Sequence, residues 1–375
     1  GDPAVKMAYP EFGMKVTTVN GQSVDGNSIS FKALEKITVE GEVLDASGQL
    51  VTDFTGIVNP TVKDSKVTVT CLKNSNKDDS PAFTFTDYPN TIFIGNDSVR
   101  NGKFSFTFTV PKDISYSNLQ GKMNLYAVDT ESGNEAQGNF DNFIVGGTSD
   151  TAETDTIGPE IRALYLNDTT FVDGGQVNTT PYFVAELWDK SGVNITGSSV
   201  GHDMMLVIDE STVLSYNLNS YYELLPGEDG TGIVKFPIPA LEPGKHTAEF
   251  WVWDILNNST VRTFTFEVVE GLKPFLFDVI ATPGIAREQV TFHLMHNRPE
   301  SRMRVGIMVY DLAGRQLWKH EESGTSGLFE NYTVSWDLTS GGARMRPGVY
   351  IYRAAISTDN SKDATKARKF IILGE

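Results

Sequence analysis

Apolar and polar residues alternate in run after run of this chain, and glycine or a short polar turn interrupts the runs about every ten residues. In Lys103-Phe-Ser-Phe-Thr-Phe-Thr-Val110, the residues Phe104, Phe106, Phe108 and Val110 fall on one side of an extended strand. Ser105, Thr107 and Thr109 fall on the other. A period of two with one apolar side specifies half-buried β-strands, and no segment carries the period of an amphipathic helix. Comparable runs lie at 37–44, 66–72 and 122–128, then at 160–166, 181–188, 246–253 and 261–269. A third set lies at 275–280, 289–294, 303–310, 333–336, 348–356 and 367–373. Many short strands joined by turns predict an all-β chain built of sandwiches.

A chain of 375 residues is too long for one ordinary domain. The stretch 146–159 has almost no apolar content and reads as a linker, and a second break is expected at 270–274. The fold expected is three consecutive immunoglobulin-like β-sandwich domains: 1–147, 148–271 and 272–375. The 22 phenylalanines supply cores without disulfides, and Phe106 is expected in the first of them. Cys71 is the sole cysteine, so no internal disulfide is possible. Its place in the alternating run 66–72 predicts a buried, unreactive thiol.

A net charge of −17 argues against nucleic acid as a partner, since that binding rests on clustered Lys and Arg. The charge is uneven. Residues 1–271 hold 17 Lys and Arg against 37 Asp and Glu, a net of −20, whereas residues 272–375 hold 14 against 11, a net of +3. Such asymmetry marks a segment with its own partner. No run of 18 apolar residues occurs, so no membrane-spanning helix is expected, and the first residues do not read as a signal peptide.

The candidates for chemistry are few. His202-Asp203 pairs a base with a carboxylate, but it sits in the Gly-rich stretch 189–203, where side chains that bond turn backbone are the expected reading. Asp189, Asn194 and Asp203 offer oxygen ligands to Ca²⁺, although the spacing of a calcium loop is absent. Trp251 and Trp253 share one strand face and are expected in the core or between domains rather than as a sugar-stacking platform. His293, His296 and His320 lack the spacing of a zinc site. No catalytic residue, cofactor or metal is predicted.

Five strings punctuate the last block: Ala281-Thr-Pro-Gly284 ahead of Val290-Thr-Phe292, Val309-Tyr-Asp-Leu-Ala-Gly-Arg315, Val334-Ser-Trp336, Pro347-Gly-Val-Tyr-Ile-Tyr-Arg353 and Lys369-Phe-Ile-Ile372. With them the block resembles the C-terminal sorting domain of the type IX secretion system of Bacteroidetes, an immunoglobulin-like sandwich. It is also akin to the immunoglobulin-like domain of the flagellar hook-capping protein. Gly1-Asp2-Pro3-Ala4 with Tyr9-Pro10 resembles the close of a gingipain-type cysteine peptidase domain. Together with Ser191-Gly-Val-Asn194 and Gly201-His-Asp203, these make the whole chain similar to the region after the catalytic domain of the type IX secretion sortases.

The resemblance implies a parent endopeptidase and transpeptidase at the cell surface that removes sorting domains from exported cargo and attaches the cargo to lipopolysaccharide. Its catalytic Cys and His lie upstream in that family, so this chain is expected to be no enzyme but a scaffold. The partners implied are that peptidase domain and an outer-membrane β-barrel protein of the system, docked through the strands around Val349, Tyr350 and Lys369. The alternative is a cell-surface adhesion or carbohydrate-binding module that uses Trp251, Trp253 or Tyr221-Tyr222.

Overall fold

The structure, a computed structural model, describes residues 9–72, 81–150, 155–197, 201–225, 230–358 and 361–374. Gly1 to Ala4, part of the 146–159 stretch and residues 198–200 of the Gly-rich loop lie outside them. More than half of the described residues are in strands, and they contain no α-helix, only the 3₁₀ turn Asn219–Tyr221. The chain forms two compact units: Gly1–Ala163 with Ala185–Val234 and Ala248–Thr263, and Leu164–Val184 with Lys235–Thr247 and Phe264–Glu375. Residues of the middle block are thus shared between them.

In the first block the strands close into a ring of seven. Lys122–Asp129 pairs with Glu135–Phe140, which pairs with Phe12–Val19, and then follow Lys36–Leu44, Lys103–Thr109, Asp97–Arg100 and Gly56–Lys63. The last of these returns to Lys122–Asp129 along its whole length, from Gly56 opposite Asp129 to Lys63 opposite Lys122. This departs from the open sandwich expected. Alternation is the same in a barrel and a sandwich, so the pattern cannot separate them; closure removes edges that would otherwise need covering. Gly56 is where the closure is tightest: a Cβ there would collide with the backbone of Val128, so only glycine lets the strands meet.

The side-chain prediction for 103–110 is borne out. Phe104, Phe106 and Phe108 are 3–5% exposed, and their rings stack at 6.3 Å in the barrel core. Ser105 and Thr107 face water. Past the pairing of Phe104 with Val99, however, the two strands of this hairpin part company. Among the described residues, Ser105–Thr109 keeps only Lys36–Glu40 as a partner, and the strand Thr91–Ile94 pairs on one edge alone, with Gly56–Lys63.

Cys71 is not buried as expected; it is exposed, beside Leu72 at 86% exposure. The strand before it, Val67–Thr70, pairs among the described residues only with Thr84–Asp87 in a two-stranded ribbon, and its better-covered face, Val67 and Val69, is no more than half-buried.

Residues 275–374 of the second unit form two main sheets, besides the small ribbon of Thr339–Ser340 and Ala343–Arg344. One holds Leu276–Thr282, Val290–His296 and Tyr332–Trp336; the other runs Ile285–Ala286, Ala364–Ile372, Gly348–Ser357, Met303–Tyr310 and Gln316–Gly324. They share a core in which Phe292 meets Tyr352 at 4.9 Å, and the Tyr352 hydroxyl donates across it to the Val279 carbonyl at 3.0 Å. Gln316–Gly324 was not anticipated, because Lys319-His-Glu-Glu-Ser323 has no apolar face of its own. It is held by register with Met303–Tyr310, residue against residue.

Candidate functional site

The residues expected to dock a partner lie on Gly348–Ser357 and Ala364–Ile372, but not on one face. Val349 is 41% exposed and Lys369 is exposed, both on the outer face of the five-stranded sheet. Tyr350 is 7% exposed and belongs to the core: its ring packs on Phe370 at 5.9 Å and its hydroxyl donates to the Arg346 carbonyl at 2.7 Å. Strand alternation is the reason, since neighbours at i and i+1 point to opposite faces.

Register assembles the outer face in rows. Ile285 lies beside Ile371, which lies beside Val349. Tyr310, Ile351 and Lys369 form the next row, and Lys319, Met308, Arg353 and Ala367 the one beyond. Ile285 is 56% exposed, and Ile351, Ile371, Met308 and Tyr310 are half-buried, so an apolar strip runs across the sheet. Lys369 has no ion-pair partner among the described residues, whereas Lys319 pairs with Glu321 at 2.8 Å and Arg304 with Asp363 at 3.5 Å. An apolar strip edged by an unpaired cation is what a partly acidic protein surface complements.

A second constellation lies in the first unit. Asp155, Asp189 and Asp254 each bring a carboxylate oxygen within 4.8 Å of the others. Asp189 comes from the Gly-rich loop, Asp155 from the stretch read as a linker and Asp254 from the turn after Trp253. Of the three cation ligands considered from sequence, only Asp189 is here. Asn194 donates to Asp113 and accepts from Thr196, and Asp203 accepts from Asn219. Asp155 and Asp254 were missed, although each heads an Asx turn that the spacing to Ile157 and Leu256 could have flagged. Such a donor set suits a hard cation.

Burial pushes Asp189 up to about 6, against hydrogen bonds from the Gly192 and Ser191 amides, with the charges of Asp254 and Asp155 adding to the rise. Burial likewise raises Asp254, while the amide of Ile157 holds Asp155 low. Because the folded value for Asp189 lies above the ordinary carboxyl value of 3.8, the folded chain holds that proton more tightly than the unfolded one. The resulting stability is complete at low pH and is lost as pH rises through about 6. Asp189→Asn keeps the acceptor for both amides, and at pH 7.5 it is expected to raise stability by about 2–3 kcal/mol, with little effect at pH 4. Urea titrations at the two pH values check this; an equal change at both would refute it.

His202 and Asp203 do not act as a pair. His202 Nδ1 lies 2.6 Å from Asp113 Oδ2, and its ring rests on Trp253 at 4.5 Å. Asp113 also accepts from the Asn257 and Asn194 amides, at 2.9 and 3.4 Å, so it is the hub of a structural bracket. Sequence could not find it, because 89 positions separate Asp113 from His202. Trp251 and Trp253 are half-buried, and the strand turns Phe250 and Val252 inward instead, both 0% exposed. The alternation is in frame, and the face it turns inward is that of Phe250 and Val252. Tyr222 is buried and Tyr221 is 40% exposed, so the two do not share an open platform. His296 bonds Ser326 and His320 bonds Glu322, each at 2.9 Å, with no shared centre.

No protein-family profile matches the chain, and no curated protein matches it. Among solved structures it is similar to dimeric latent PorU from Porphyromonas gingivalis, with 38% identity over 100% of this chain and a TM-score of 0.44. The chain spans 35% of the length of that one. It also aligns with a tetra-tandem repeat from the extending region of a large adhesion protein, at 14% identity over 97% of this chain and 74% of the other, TM-score 0.19. A third alignment is with SGBP-B of the Bacteroides ovatus mixed-linkage glucan utilization locus, at 11% identity over 96% and 70%, TM-score 0.26. The last two bear no functional argument.

Proposed function

We propose that this chain is the non-catalytic C-terminal scaffold and docking region of a cell-surface type IX secretion sortase whose peptidase domain lies upstream. The observation that carries the reading is the 38% identity to PorU along the entire chain, together with the 35% of PorU that the alignment occupies. In this reading the chain divides into domains at 147 and 271, the last of them a sorting-type domain. The apolar strip of Val349, Ile351 and Ile371, with Lys369 beside it, seats an outer-membrane β-barrel partner. The net charge of +3 over residues 272–375, against −20 before them, supports that assignment.

The test is made in the native cell. Deleting residues 272–375 from the full-length, epitope-tagged protein is expected to release it from the surface into the medium. Lys369→Glu combined with Val349→Asp is expected to do the same while leaving the block folded. Surface retention of both variants at the level of the intact protein would overturn the proposal.

A further inference from the structure

The parting of the Asp97–Arg100 and Lys103–Thr109 strands opens a cleft of about 800 Å³ in the first unit. One wall is formed by residues 92–94 and 96–98, the other by Phe106–Thr109, and residues 189–193 and Ile195 with Leu224 and Leu225 complete it. Both strand walls present an edge without a strand partner among the described residues. In a strand, half of the backbone N–H and C=O groups point to each edge, so such an edge is a template for one more strand. The floor is apolar: Phe93 lies across the gap, stacked on Phe108 at 4.7 Å and on Phe106 at 6.1 Å.

Two cations stand at the two ends. Lys36 is opposite Thr109 and Arg100 is opposite Lys103, and both are exposed. Neither has an ion-pair or hydrogen-bond partner among the described residues. The intervening length of strand separates them by about 20 Å, the span of an extended peptide of about six residues.

The geometry points to a binding site for an extended peptide that adds a strand along the cleft, with apolar side chains over Phe93 and an acidic residue at each end facing Lys36 and Arg100. Main-chain pairing supplies the affinity and the end charges fix the register. This site is separate from the docking face of residues 272–375 and does not depend on it.

The probe is a fluorescein-labelled heptapeptide of alternating valine and threonine with an aspartate at each end, measured by anisotropy against the whole chain. Two controls carry lysines at the ends or a central proline, which removes a backbone donor and disfavours the added strand. The acidic peptide is expected to bind at least tenfold more tightly than either control. Lys36→Glu with Arg100→Glu, both surface changes, is expected to reverse the preference in favour of the lysine-ended peptide. Bound peptide is expected to slow amide exchange at residues 92–94 and 105–109, which attraction of charge alone does not do. Absence of binding, equal affinity for all three peptides, an unchanged preference in the double variant, or unchanged exchange at both edges each overturns the inference.

Discussion

Phe106→Ala is expected to cost the barrel about 3–5 kcal/mol, the range for removing a large aromatic side chain from a packed core. Phe106 is 3% exposed and stands in the middle of the ladder, between Phe104 and Phe108 at 6.3 Å each and with Phe93 at 6.1 Å above. Its neighbours are held by strand register, Phe106 opposite Val39 and Phe108 opposite Ile37, so they cannot close in on the space left. Phe106→Leu refills most of that volume and is expected to cost about half as much. Chemical denaturation followed by near-ultraviolet circular dichroism reads both. A loss below about 1 kcal/mol for the alanine variant would mean that this face of the strand is not core.

Arg298→Met is expected to destabilise the second unit by about 3 kcal/mol, although it removes a charge from an apolar setting. Arg298 is 1% exposed, among the largest fully buried side chains. Its guanidinium donates to the carbonyls of Leu272 at 3.1 Å, Lys273 at 3.4 Å and Asn297 at 3.0 Å. Methionine keeps the stem and strips those acceptors of their donor, and an unsatisfied buried carbonyl is costly. The side chain thereby pins the segment entering residues 275–374, a second tie being the Phe275 amide to the Asn297 side chain at 2.7 Å. Burial, helped by the Arg298 charge, holds His296 down to about 4, so the variant is also expected to move the His296 titration upward. Denaturation midpoints and a proton NMR titration report the two effects independently. An unchanged midpoint would show that water replaces the guanidinium without loss.

What was legible in the chain follows from how far each cause reaches. The inward set Phe104, Phe106 and Phe108 depends on neighbours two positions away, and alternation states it openly. Cys71 obeys the same local rule yet is exposed, since whether a strand face is core depends on what covers it, and no residue of the ribbon Val67–Thr70 is fully buried. Trp251 and Trp253 show the converse, a strand read correctly whose inward face belongs to Phe250 and Val252. Val349 and Lys369 are exposed on one face while Tyr350 between them in the expected set is buried on the other, because neighbours along a strand point to opposite faces. The Asp155, Asp189 and Asp254 cluster and the Asp113 bracket are products of distant segments folding together. Local turn patterns mark Asp155 and Asp254 singly, but none announces that they meet Asp189, or that Asp113 meets His202.

The seven-strand ring also dictates an order of assembly. Phe12–Val19 lies between Lys36–Leu44 and Glu135–Phe140, so the first strand of the block gains its second neighbour only from the last. Until then the growing chain carries two open margins, and the join between Gly56–Lys63 and Lys122–Asp129 bridges a long stretch of sequence. Closure therefore waits for residues 135–140, and until they arrive the half-built wall is prone to pair with its copies. A chain cut short before residue 135 would hold most of the barrel's apolar side chains and be unable to hide them, so its fate is aggregation or proteolysis rather than a smaller working domain.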